Sequence, residues 1–254
     1  MNRKSQFSYV CNACGLCCHR KVITLSPYDV LRLARAAGIS TSKAIARYTI
    51  RRGSILKFSD AGACVALEGA RCGVHRGRPL ACRLYPLGIE YREDGDGEKF
   101  VMLEPAEGSL GVYGVDGDVD GFLAAQGVGD YLAACARYAS LLGVFRERIA
   151  ATVDFDRVEP REFRRRAVRE ALAESSYDAN PLIDAIFDAD GIGCDGASEG
   201  ETIAAHLERL AEMIRRESNA EMLAAAAVML AVSLGQRPDA ALTATMQTSS
   251  RPMK

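Results

Sequence analysis

The chain has 254 residues, enough for one long domain or two short ones, and its 48% hydrophobic and 26% charged content is that of a globular protein. That balance excludes a chain disordered throughout, a collagen-like fibre and a mucin-like stalk. The net charge of −1 hides a division: residues 1–82 hold 14 Lys and Arg against 3 Asp and Glu, a net of +11, and residues 83–254 carry a net of −12.

The nine cysteines divide the same way. Seven (Cys11, Cys14, Cys17, Cys18, Cys64, Cys72 and Cys82) lie in the basic segment, and only Cys135 and Cys194 lie beyond it. Met1 to Val10 has basic residues but no apolar stretch, so it does not read as a secretory signal. The expected location is therefore the cytoplasm, where a dense cysteine cluster points to metal binding or catalysis rather than disulfides. The most apolar run, Met222 to Leu234, is 13 residues long against the roughly 20 needed to span a bilayer. It reads as a buried helix, and no membrane association is expected.

In chain order, Val22 to Leu25 is expected as a short strand. Ser26-Pro27-Tyr28-Asp29 then starts a helix, with Ser26 as cap, Pro27 at the first helical position and Asp29 facing the positive end of the dipole. Gly38 ends that helix, and a second runs from residue 40 or 41 to about 51. A strand at Ile55 to Phe58 precedes a hairpin within Cys64 to His75. A second hairpin, Leu87 to Glu93 with Lys99 to Glu104, turns on Asp94-Gly95-Asp96-Gly97. From about residue 119 the pattern becomes helical: a short piece at 121–126, a long helix over 130–150 with Cys135 on its apolar face, then helices near 161–174, 180–188, 200–217 and 219–235. Residues 153–160 read as a linker, Asp188 to Gly196 as a turn that isolates Cys194, and His206 as a partly exposed helix residue.

The chemistry is carried by Cys11-Asn-Ala-Cys14-Gly-Leu-Cys17-Cys18-His19, then Cys64, then Cys72-Gly-Val-His75-Arg-Gly-Arg78-Pro79-Leu-Ala-Cys82-Arg83-Leu-Tyr85-Pro86. Three cysteines at a repeated C-x2-C step are the spacing that bacterial ferredoxins use for three corners of a [4Fe–4S] cluster, with a remote cysteine as the fourth. Cys72-x2-His75 would instead suit zinc, which admits histidine. Seven cysteines and His75 exceed the four ligands of one zinc ion or one cubane, so either two centres are present or several cysteines are not ligands. Adjacent Cys17 and Cys18 are expected to point apart and to serve two centres or bridge two metals. Arg76, Arg78 and Arg83 are interleaved with the candidate ligands, where cations stabilise thiolates and tune a cluster. Nucleic-acid binding, the other meaning of a basic segment, lacks a helix-turn-helix, an aromatic stripe and paired zinc-finger ligands.

CxxCxxCC followed by CxxHxxRPxxCRxYP resembles the YkgJ-type cysteine-cluster family, described as zinc- or iron-chelating, over roughly residues 8–145. The resemblance implies Cys11, Cys14, Cys17, Cys18, Cys64, Cys72, His75 and Cys82 as metal ligands, with Arg78, Arg83 and Tyr85 contacting the bound group. Many relatives carry a further cysteine after the Tyr-Pro hairpin; here the comparable stretch, Glu104 to Gly108, has none. A related segment occurs in flagellin lysine methylases.

The reading is an α+β protein: a small metal-binding N-terminal domain of short strands and helices (residues 1–152), followed by an all-helical C-terminal domain (160–245). The expected function is a cytoplasmic metal-binding protein holding an iron–sulfur cluster of the [4Fe–4S] type, with zinc as the alternative. The competing classes are an enzyme using the cluster, such as a protein-lysine methyltransferase, and a metallochaperone. The expected partners are a metal ion or cluster and, for a chaperone, a protein; nucleic acid and membrane are not among them.

Overall fold

The computed structural model describes residues 1–91, 98–173, 179–184 and 197–243. The predicted turn at 94–97, the predicted loop 188–196 with Cys194, and the last four residues of the predicted helix 180–188 lie outside these residues.

The N-terminal part combines short strands and helices. β1 (Gln6–Val10) pairs antiparallel with β8 (Val112–Asp118), with Val10 opposite Val112 and Tyr9 opposite Tyr113. α1 (Pro27–Ala37) and α2 (Thr41–Tyr48) follow, then the two-residue strands β2 (Thr49–Ile50) and β3 (Ile55–Leu56), which pair with each other. β4 (Leu67–Glu68) and β5 (Arg71–Cys72) form a minimal hairpin, α3 (Leu80–Leu84) carries Cys82, and β6 (Leu87–Tyr91) pairs with β7 (Glu98–Met102). The rest is helical: α4 (Val119–Ala125), α5 (Val128–Ala139), α6 (Leu141–Thr152), α7 (Pro160–Leu172), α8 (Asn180–Ile183), α9 (Glu199–Arg216), α10 (Ala220–Ser233) and α11 (Ala240–Thr243). The mixed class is as the sequence implied.

Local chemistry explains most boundaries. Ser26 and Asp29 form a reciprocal capping box at the start of α1, and Gly38 closes it at φ +63°. α10 is buried on nearly every side, which is why its sequence is apolar all round. α7 buries only Phe163, Ala167 and Ala171, a narrow stripe beneath a highly charged face.

Three expectations change. The predicted strand at 22–25 is an extended segment in which only Thr24 forms a bridge, to Ile55. The single helix over 130–150 divides at Ser140, whose hydroxyl donates to the Arg137 carbonyl at 2.6 Å, a local bond that competes with helix propagation. His206 is not partly exposed: it is 1% accessible, and its Nδ1 lies 2.8 Å from the buried Tyr138 hydroxyl.

The main core runs from Leu25 through α1, α5, α6 and α7 to α9, α10 and Leu242. Glu199, at the start of α9, accepts from the Tyr28 hydroxyl and from Arg32, each at 2.6 Å, so α1 docks on the C-terminal helices. A second, smaller core of Phe7, Leu84, Leu87, Phe100, Val119, Phe122, Leu123 and Val128 sits beneath β1, α3 and the β6–β7 hairpin. The cysteines occupy the region around α3 and the β4–β5 hairpin. No helix among the described residues is long and apolar enough to cross a membrane.

Candidate metal centre

Three chain segments meet at the cysteines, each held by backbone constraints the sequence specifies. The first turns at Gly15, at φ +75°, into a single 3-10 turn that contains Cys17 and Cys18. A Cβ at Gly15 would also press on the Ala70 carbonyl at 3.3 Å, so glycine is what lets this loop lie against the β4–β5 hairpin. The second carries Cys64, whose amide donates to the Cys18 carbonyl at 2.8 Å, and Cys72 on β5. The third runs through Gly77, packed on the backbone of α1 at Arg32 too closely to admit a side chain, to Arg78 and Cys82.

Asp29 locks the third segment. It is 3% exposed and accepts from the Ser26 amide (2.8 Å), the Ser26 hydroxyl (2.6 Å) and the Leu80 amide (2.7 Å). The start of α3, and with it Cys82, is thus tied to the cap of α1. Burial nonetheless raises the Asp29 pKa, opposed by those donors. The S-x-x-D spacing at Ser26 and Asp29 signals the capping box, whereas the Leu80 amide, 51 positions away, gives no local signal.

Six thiols are electrostatic neighbours. Cys17 is their hub: it influences the proton affinity of Cys14, Cys18, Cys72 and Cys82, and Cys64 influences Cys18, Cys72 and Cys82. The neighbouring Cys18 thiol holds Cys17 below the ordinary thiol range, against burial and with help from its own amide, Lys21 and Arg78. The same proximity, with burial, pushes Cys18 far above that range. Burial raises Cys64, Cys72 and Cys82, whereas amides of Leu110 and Leu16 lower Cys14. Adjacent Cys17 and Cys18, expected to point apart, act on each other's proton affinity within the 3-10 turn.

The remaining candidates are placed differently. Cys11 is exposed. His75 is exposed, its pKa lowered by burial of part of the ring and then by Arg78 and Arg83, and Arg78 approaches its Nε2 at 2.6 Å. The half-buried Arg78 also bonds Gln126 Oε1 and lends its charge to Cys17 and Cys72. Arg83 donates to the carbonyls of Arg76 (2.6 Å), Arg78 (3.2 Å) and Gln126 (2.6 Å) and lies 4.7 Å from the Tyr131 ring, so it braces the loop. Tyr85 packs edge-on against Tyr9, with Lys21 Nζ 5.9 Å from its ring. His19 places Nδ1 3.1 Å from the Gly15 carbonyl. Cys135 is buried in the main core, where burial pushes its thiol up to about 12.

The donor chemistry fits a soft or borderline metal: sulfur donors from three segments, with Arg78 and Lys21 to balance thiolate charge. As the side chains stand, no group of three His, Cys, Asp or Glu among the described residues is arranged to hold one ion. A cavity of about 410 Å³ lies elsewhere, lined by Phe145, Leu182, Leu210, Ile214 and neighbours on α6 to α10, and includes none of the candidate ligands.

Fold and site together define a chain of mixed helices and strands with a thiol-rich segment. Residues 10–102 match the CxxCxxCC family model, described as "Putative zinc- or iron-chelating domain". No curated protein and no solved structure matches the chain.

Proposed function

We propose that the chain is a cytoplasmic protein holding an iron–sulfur centre of the [4Fe–4S] type, with ligands drawn from Cys11, Cys14, Cys17, Cys18, Cys64, Cys72 and Cys82. What supports this reading is the mutual electrostatic influence of Cys17, Cys18, Cys64, Cys72 and Cys82, drawn from three separate segments, together with the charge that Arg78 lends to Cys17 and Cys72. All-sulfur donation, together with the C-x2-C-x2-C step, favours an iron–sulfur cluster over zinc. Arg78 occupying the His75 imidazole weighs against the histidine that a zinc site would recruit. A metal held there would require these cysteines as thiolates, so its binding would release protons.

A second reading, a metal carrier, is favoured by the exposure of Cys11, since delivery needs a ligand that an acceptor can reach. We retain a metal-binding unit over 1–152 and a helical unit over 160–245. Metal analysis of single variants tests the ligand set: Cys82→Ala and Cys64→Ala should each lower metal retention, whereas Cys135→Ala and Cys194→Ala should not. Full retention after loss of both Cys64 and Cys82 would move the site elsewhere.

A further inference from the structure

The helical part encloses a space that the metal centre does not use. The cavity of about 410 Å³ lies among α6, α8, α9 and α10, walled by Phe145, Leu182, Leu210, Ile214 and Leu223. Each of these five residues is 4% exposed or less, so the wall is part of the main core. α10 meets the cavity with Ala225 and Ala226, whose side chains stop at a methyl group and so leave room. Protein interiors are close-packed, with few voids larger than a water molecule. An apolar cavity of about 150 Å³ already holds benzene. At about 410 Å³ this one falls within the roughly 300–1,000 Å³ of small-molecule sites.

The lining that reaches solvent has a different chemistry. Met213 and Met222, 37% and 48% exposed, are unbranched and flexible, so they can swing aside to admit a ligand. Every charged residue that lines the cavity is a carboxylate: Glu170, Glu217 and Glu221. Arg166 already pairs with Glu221 at 2.6 Å. Glu217 differs. Its Oε1 accepts from the amides of Ser218 (2.8 Å) and Asn219 (2.7 Å), and Arg148 donates to its backbone carbonyl rather than to its carboxylate. No Lys or Arg among the described residues forms an ion pair with the Glu217 carboxylate.

We propose that this cavity is a binding site for a small amphipathic cation, with an aliphatic chain in the apolar interior and an ammonium group on the Glu217 carboxylate. The wall takes the chain out of water, and the carboxylate fixes which end stays at the surface. A fatty acid is disfavoured, because its head would meet like charge at Glu170 and Glu217. A neutral alcohol gains the apolar wall but not the charge. The site shares no residue with the candidate metal ligands, so it stands whatever the cysteines hold.

Isothermal titration of octylamine, octanol and octanoate into the whole chain at neutral pH, each below its micelle concentration, tests the assignment. One octylamine should bind per chain, octanol more weakly, and octanoate more weakly still. Glu217→Gln should weaken octylamine about threefold, the size of a half-exposed ion pair, and leave octanol unchanged. Glu208→Gln, at an exposed α9 position outside the cavity, should change neither. Ala225→Leu fills the space and should abolish binding of both; if that variant does not fold, the Glu217→Gln comparison decides. Octanoate binding as tightly as octylamine, no saturable octylamine site, octylamine affinity unmoved by Glu217→Gln, or a folded Ala225→Leu chain that still binds would each overturn the proposal.

Discussion

The Cys64 amide donates to the Cys18 carbonyl at 2.8 Å, so two cysteines 46 positions apart are held together by backbone alone. Gly15 completes the contact by letting the first loop turn left-handed against Ala70.

Gly15→Ala is expected to destabilise the chain by about 1–2 kcal/mol, the cost of placing an L side chain in the left-handed region. It should also lower metal retention, since the strained loop carries Cys14, Cys17 and Cys18. Urea denaturation and metal content of the same preparation check both outcomes.

Asp29→Ala removes the acceptor of two amides and a hydroxyl at a buried site. A loss of about 3 kcal/mol is expected, because those donors are left without partners. Asp29→Asn, which keeps one acceptor oxygen, should lose less. Weakened metal binding should accompany the larger loss, as the Leu80 end of α3 comes free and Cys82 with it; chemical denaturation and equilibrium dialysis against metal measure the two effects.

Much of this was legible beforehand, and the misses have physical causes. The capped start of α1 and the Gly38 stop follow from residues that act locally, so sequence was enough. The β1–β8 pairing was not foreseen: Gly114 and Gly117 interrupt the second strand, and its partner lies more than a hundred positions away. The candidate cysteines were named from spacing, but spacing says nothing of rotamers or hydrogen bonds. The contact between Arg78 and His75 turns on the rotamers of residues three apart, and the burial of His206 depends on Tyr138, 68 positions away.

Tyr138→Phe tests the buried pair in the helical part. Removing the hydroxyl should cost about 1–2 kcal/mol, since the Tyr138 contact to His206 Nδ1 is fully buried. Metal content should not change, because neither residue adjoins the thiols. A thermal unfolding curve set beside a metal assay decides it; metal loss without destabilisation would contradict the placement.

Chelation should loosen the cysteine segment first. The strands there are only two residues long, so metal coordination is expected to supply much of the local stability. Hydrogen exchange with and without chelator should show protection lost over residues 11–82 and kept in α9 and α10. Glu199 bridges α1 to α9, so the start of α1 should be the last part of the N-terminal segment to open.

The central claim is that these sulfurs hold an iron–sulfur cluster. Iron and acid-labile sulfide measured on anaerobically purified, untagged chain test it most directly. The account predicts brown protein with about four iron and four sulfide per cluster-loaded chain, the composition of a [4Fe–4S] centre. Colourless protein with stoichiometric zinc and no labile sulfide would contradict it.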